Sequence, residues 1–388
     1  VNPDDLLDEA RATTGLDDFG PDDFREGLGV YCRSVAEEAQ LNEVGALAVR
    51  SAVLANLVQR LRVVDWAARH DDVTTGPGAA ITAPLVVIGM FRAGTTFLGN
   101  LLDQDPGNRS LLRWESGDAV PPPAPADHRS GPRVDAARAE VEMLEALNPA
   151  MATVHHEDAD GPTECIAVMS QDFKSLSWEA IANVPGYGRW LLDADHRSAY
   201  AHHRRVLQVL QHGGVRGRWT LKSPHHALAL DALVAEYPDA RLVLVHRDPP
   251  VVGASVCSLI RTFSGTFSDA DHLSYIATHW PDVLATSIER IEAFRAARPD
   301  VPIVDVQHAD LVARPVETVA AIYDAVGGSS PRPLSAPART AMTAFVAAHD
   351  PRRHGVHRYD LGDFGLDRAA VLDRFAPYVD RYAIPLEP

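Results

Sequence analysis

The segment Pro84-Leu-Val-Val-Ile-Gly-Met-Phe-Arg-Ala-Gly-Thr-Thr-Phe-Leu98 constrains the fold of this chain more than any other stretch. Leu85 to Ile88 is a short apolar run that reads as a buried strand. It breaks into Gly89-x-x-x-x-Gly94-Thr95-Thr96, and a helical pattern follows at once. A strand, a glycine-bearing loop and a helix start, in that order, form a cradle for an anion. Backbone N–H groups crowd the bound group, and the helix N-terminus adds partial positive charge. A nucleoside-triphosphate loop of this kind carries Lys after its second glycine, where it reaches the terminal phosphates. Here Thr95 fills that place, and the cation, Arg92, lies inside the loop. The loop reads as a holder of a 5′-phosphoryl group other than the γ-phosphate of ATP.

The rest of the chain fits an α/β sheet built around that element. Further strands are expected at Ser110-Leu-Leu-Arg-Trp-Glu115, Trp219 to Lys222, Leu242 to His246 and Ile303 to Val306. Helix-like patterns follow the last three, as in a parallel sheet with covering helices. Residues 1–70 look helical, with Leu54, Leu57, Val58, Leu61 and Val64 repeating on one face. The expected organisation is a helical N-terminal extension over 1–78 and a P-loop-like α/β domain over 79–388. A helical insertion around 116–213 would shape an acceptor site, and the proline-rich loop 116–132 would be its lid or rim.

Composition narrows the ligand. A formal net charge of −17 argues against broad binding to nucleic acid or anionic membrane, so an anionic ligand must be drawn in by a local basic pocket. Three scattered cysteines support neither a disulfide framework nor a zinc ribbon. With no apolar leader at Val1 and no run of membrane-span length, a soluble, cytoplasmic protein is expected. Of the 36 basic residues only Lys174 and Lys222 are lysines. A compact ammonium does things a guanidinium cannot, which singles both out. Lys222 ends a predicted strand at the ligand edge of the sheet, whereas Lys174 lies on no motif and reads as a snorkelling side chain.

A second anchor follows the strand Leu242–His246. Arg247 sits just past it, where ligands of open α/β sheets bind, and Ser255 lies eight residues on, in the next helix. An Arg at a strand end with a hydroxyl on the adjoining helix makes a second phosphate clamp.

With these residues in hand, the chain resembles the sulfotransferases that use 3′-phosphoadenosine 5′-phosphosulfate (PAPS), closest to their bacterial branch. Gly89 to Thr96 is similar to that family's 5′-phosphosulfate loop, with Phe91 and Ala93 in place of its Pro and Ser. Arg247 and Ser255 match its 3′-phosphate pair, Leu221-Lys222-Ser-Pro-His-His226 resembles its Lys-containing central element, and His357 to Leu366 resembles that branch's C-terminal segment. The resemblance implies PAPS as co-substrate, no metal, and a small-molecule, glycan or lipid acceptor that offers a hydroxyl or, less readily, an amine. Arg92, Ala93, Gly94, Thr95 and Thr96 would hold the 5′ end, Arg247 and Ser255 the 3′-phosphate, and the basic loop with Arg353 and Gly355 would close over it.

Sulfuryl transfer needs positioning, charge neutralisation on the departing oxygen, and a proton acceptor. Lys222 is the candidate for the second task. For the base, Glu115 and the pair His155 and His156 stay open as alternatives. Glu115 could have its pKa raised near an apolar rim, and histidine needs less tuning near neutral pH. The plain structural reading of Glu115 is an ion pair with Arg113. Two other functions compete with sulfuryl transfer: a P-loop kinase-like phosphotransferase, which would want a loop Lys and Mg²⁺ ligands, and a non-catalytic nucleotide-binding protein.

Overall fold

The computed structural model describes residues 2–327, 332–349 and 359–387. Five short strands form one parallel sheet: β1 Leu85–Gly89, β2 Asn108–Ser110, β3 Arg218–Lys222, β4 Arg241–His246 and β5 Ile303–Gln307, in the order β2-β3-β1-β4-β5. The glycine loop therefore leaves a central strand, flanked on one side by β3 and on the other by β4. In register, Val87 of β1 lies beside Lys222 and Gly89 beside Val245. The sheet itself delivers the loop, Lys222 and Arg247 to one carboxyl edge, where open α/β sheets bind their ligands.

Four expected strands lie where the apolar runs placed them, and the second ends early. Only Asn108–Ser110 pairs with β3, and Arg113–Gly117 is a short helix. The physical reason is Glu115, whose carboxylate accepts from the Leu112 N–H at 3.0 Å and caps that turn. Leu111 leaves the sheet to pair elsewhere, its carbonyl accepting from the Thr163 N–H at 2.9 Å.

The N-terminal region consists of Pro3–Thr14, Phe24–Glu38 and the long helix Glu43–Arg69. Asn42 caps the last of these by accepting from the Gly45 N–H at 2.8 Å. By length and composition this helix could cross a membrane, which corrects the expectation that no segment reaches that length. Its residues Val49, Val53, Leu57 and Leu61 are nonetheless fully covered by protein. Gly45 permits a close approach, since a Cβ there would sit 2.0 Å from the Phe267 carbonyl oxygen. Leu6, Leu28 and Leu57 share one continuous apolar core with Val86 and Ile88 of the sheet, so residues 1–78 are packed on the α/β body. A second cluster covers the other face, with Leu98, Leu101 and Leu102 of the helix Thr95–Asp103 against Val87 and Val243.

Candidate active site

The cradle takes the form its residues dictate. Gly94 precedes the helix Thr95–Asp103 with φ +96°, and a Cβ there would come within 2.7 Å of the His308 ring, so glycine is required twice over. The first N–H groups of that helix have no carbonyl a turn earlier, which leaves them for an anion. Arg92 itself has φ +63°, a costly conformation outside glycine, and its Nε donates to Ser255 Oγ at 3.1 Å. Ala93, standing where the resembled loop has Ser, turns its methyl into the apolar cluster and is fully buried. Phe91 stacks edge-on against Trp280, ring centroids 5.3 Å apart.

The two expected phosphate anchors meet. Arg247 Nη1 donates to the Arg92 carbonyl at 2.9 Å, and Ser255, on the helix Pro249–Phe267, receives Arg92. Burial lowers the Arg92 pKa; Tyr359 opposes this, and the neighbouring charge of Arg247 adds to it. His308, beside the cradle, is pushed down to about 4 by burial and then by Arg247, so it is neutral near pH 7. Arg247 also grips a carboxylate that sequence reasoning missed. Its Nε and Nη2 donate to the two oxygens of Glu387 at 2.7 and 3.0 Å, and these hydrogen bonds hold Glu387 below its usual range despite opposing burial.

Lys222 is 4% exposed, and its Nζ donates to Thr96 Oγ1 at 3.2 Å and to Glu164 Oε1 at 3.1 Å. Glu164 is the other residue the motifs did not reveal. The loop before Ile166–Met169 is tied to the end of β3 by Cys165 N–H donating to the Lys222 carbonyl at 2.9 Å, which seats Glu164 beside that lysine. Local sequence carries no signal for it, because the contact spans 58 residues of chain.

Arg92, Gly94, Thr95, Thr96, Glu164 and Arg247 line one cavity of about 540 Å³. Its other wall is apolar and includes Leu176, Ile181, Leu259, Phe263 and Trp280. The insertion helices supply part of that wall, but the proline-rich loop 116–132 supplies none of it. Phe173, Trp178 and Tyr187 are buried in the core.

Glu115 stands elsewhere. It is fully buried, and Arg109 rather than Arg113 grips it, Nη2 to Oε1 at 2.6 Å and Nη1 to Oε2 at 2.9 Å. Burial pushes its pKa up, but the charge of Arg109 and hydrogen bonds from His128 and Arg109 outweigh that and leave it lowered. It does not line the cavity, and Arg109 occupies both of its oxygens. Arg113 pairs instead with Glu157, at 3.0 Å. His156 lines a smaller recess of about 220 Å³ that meets the cavity at Thr96 and Glu157, and its ring nitrogens face Glu145 and Asp158 at 2.6 and 3.2 Å. The side chain of His155, together with Arg353 and Gly355, lies outside the described residues. Lys174 does not snorkel; it is buried against Asp172 at 3.3 Å.

Known proteins share the family and the fold of this chain. The model of the sulfotransferase family matches residues 84–331. Sulfotransferase STF9 from Mycobacterium avium superposes with a TM-score of 0.88 at 32% identity, covering 99% of this chain and 97% of that one. Sulfotransferase STF1 from Mycobacterium tuberculosis H37Rv gives 0.84 at 35% identity, covering 97% and 99%. No curated protein matches.

Proposed function

Because the chain belongs to the sulfotransferase family, we propose that it moves a sulfuryl group from PAPS to the hydroxyl of an acceptor held in the cavity beside Lys222. The observation that carries this reading is the linkage of Arg92 and Arg247 beside a buried lysine and its partly exposed glutamate at the carboxyl edge of the sheet. Arg92 and the N–H groups at Gly94 to Thr96 hold the 5′-phosphosulfate. Arg247 and Ser255 take the 3′-phosphate, and Glu387 must yield its place on Arg247 when they do.

Lys222 neutralises the oxygen that departs as the sulfur–oxygen bond to the 5′-phosphate breaks. Glu164 accepts the proton of the acceptor hydroxyl as the new oxygen–sulfur bond forms. Its Oε2 has no hydrogen-bond partner among the described residues, so one oxygen is available for that proton. Preorganised charge in a water-poor site is the main source of rate in such transfers.

Calorimetric titration with 3′-phosphoadenosine 5′-phosphate (PAP) and with ATP plus Mg²⁺, followed by transfer of labelled sulfate from PAPS to a panel of alcohols, tests the reading. Tighter binding of PAP than of ATP together with transfer supports it. The reverse order of affinity points to a kinase. Tight PAP binding without transfer to any acceptor points to a binding protein.

A further inference from the structure

Resting on that reaction, we infer that the acceptor is an elongated, largely apolar alcohol whose body runs beyond the main cavity to the N-terminal helix Glu43–Arg69. Apart from the Glu164 oxygen kept for the acceptor's proton, the polar groups of the cavity wall are already tied together. Arg92, Arg247, Lys222 and Glu164 are linked around the cradle, and Arg113 and Glu157 satisfy each other at 3.0 Å. What faces the acceptor body is Leu176, Ile181, Leu259, Phe263 and Trp280. A glycan would bury hydroxyl after hydroxyl against such a wall without partners, at a cost of roughly 1–3 kcal/mol each. An alkyl or fused-ring body gains from the same surface.

A second space lies against that wall. Ala167, Ser177 and Ile181 also line this space of about 270 Å³, whose opposite side is Ala52, Ala55, Asn56 and Gln59 of the long N-terminal helix. Ala167 and Ser177, the small residues common to the two linings, are where the inferred passage between them runs. Gln59 adds an independent sign of a ligand. Its side chain is 8% exposed, and its Oε1 has no hydrogen-bond partner among the described residues. Buried acceptors are rarely left unmet. Rotation of the Gln59 amide toward the second space, whose wall the residue helps to form, brings its oxygen to a hydroxyl or amide donor on the distal part of the acceptor, so the substrate class is an amphiphile with a reacting hydroxyl at one end and a hydrogen-bond donor toward the other. The N-terminal helices thereby become part of acceptor recognition.

The test is a binding series on the full chain without nucleotide, read by the fluorescence of Trp280 in the first space and Trp178 in the second. Straight-chain primary alcohols from 1-butanol to 1-hexadecanol are titrated, and Kd is expected to fall roughly threefold to fourfold per methylene. The fall levels off at a shorter chain in A52W and, independently, in N56F than in the wild type, with folding verified by circular dichroism. An α,ω-diol long enough to reach Gln59 binds severalfold tighter than the matching mono-alcohol, and Q59L removes that advantage. Levelling at the same length in wild type and both variants overturns the passage, and Kd independent of length overturns the apolar class. Because binding is read here, loss of sulfate transfer with the length series intact strikes the reaction and not the acceptor assignment.

Discussion

Lys174 and Lys222 are buried alike, their side chains 5% and 4% exposed, and each faces a carboxylate, Asp172 at 3.3 Å and Glu164 at 3.1 Å. The settings differ in what is left over. Asp172 is fully buried and also takes Arg60 at 2.9 Å and Ser198 at 2.6 Å, while Lys174 spends its remaining donors on the Asp23 carbonyl and Ser198. Glu164 keeps a partly exposed carboxylate on the cavity wall, and Lys222 shares its donors with a threonine of the cradle. A buried ion pair whose every donor and acceptor is spent locks the fold. One that keeps capacity facing a cavity can act on a ligand.

The sharpest way to break that comparison is to neutralise each carboxylate without changing its shape. Glu164→Gln is expected to lower kcat by about a thousandfold, within the range for loss of a general base, and to lower the melting temperature less than Asp172→Asn does, because one cation rather than two loses its counter-charge and the carboxylate is partly exposed. Asp172→Asn should do the opposite, costing about 3–5 kcal/mol of stability because two buried cations lose their counter-charge. Steady-state rates and thermal denaturation on both variants decide it. If Glu164→Gln turns over normally, Glu164 is not the base.

Glu115 belongs with the locked pair, and pH exposes it. Its folded pKa is lowered, so its contribution to stability is complete above the unfolded carboxylate value and is lost as pH falls through the folded one. Glu115→Gln is expected to cost about 3 kcal/mol at pH 7 and to flatten the acid side of the stability curve, below about pH 4.5. Turnover per folded molecule should stay within a few-fold. Urea unfolding from pH 7 down to pH 3 measures the first effect, and assays normalised to folded protein measure the second. A thousandfold loss of turnover would return Glu115 to the chemistry.

Lys222→Arg tests whether the point charge itself matters. Arginine keeps the charge but spreads it over a planar fork that cannot reach both Thr96 and Glu164 in the same way. The expected result is a loss of about a hundredfold in kcat with PAP affinity within about threefold, read by kinetics and calorimetry. Equal losses in both would make Lys222 a nucleotide holder instead.

What was legible in the sequence was what short-range chemistry encodes. Arg92, Gly94 and Thr95 announce the cradle because strand, turn and helix start must be contiguous. Arg247 and Ser255 were legible as neighbours of one site because both hang from one strand–helix junction, and both meet Arg92. Lys222 was legible as a lone lysine at a strand end. Glu164 and Glu387 were not, since their partners lie 58 and 140 residues away and no local pattern distinguishes them from surface carboxylates. Glu115 misled for the converse reason. Its position after a predicted strand suited a base, but Arg109, on β2, turns inward and claims both of its oxygens. A carboxylate's role is set by which cation reaches it, and that is a property of packing.

The smallest expected effect concerns a carboxylate that competes with the ligand. Glu387 meets Arg247 through two hydrogen bonds, with side chains 35% and 20% exposed, at the guanidinium assigned to the 3′-phosphate. A pair this open to water is worth about 1 kcal/mol at most, so removing its charge should tighten PAP binding only about threefold to fivefold. Glu387→Gln keeps the backbone contacts of that residue to Asp248 and Arg368, which isolates the side-chain charge. The advantage of the variant should persist at pH 5, because Arg247 holds the wild-type Glu387 below the usual carboxylate range and keeps it ionised there. Calorimetric Kd values for PAP at pH 7.5 and pH 5 read both effects. Weaker binding by Glu387→Gln would mean that the carboxylate positions Arg247 for the nucleotide instead of competing with it, and Arg247 would then join the cations whose counter-charge is part of the site.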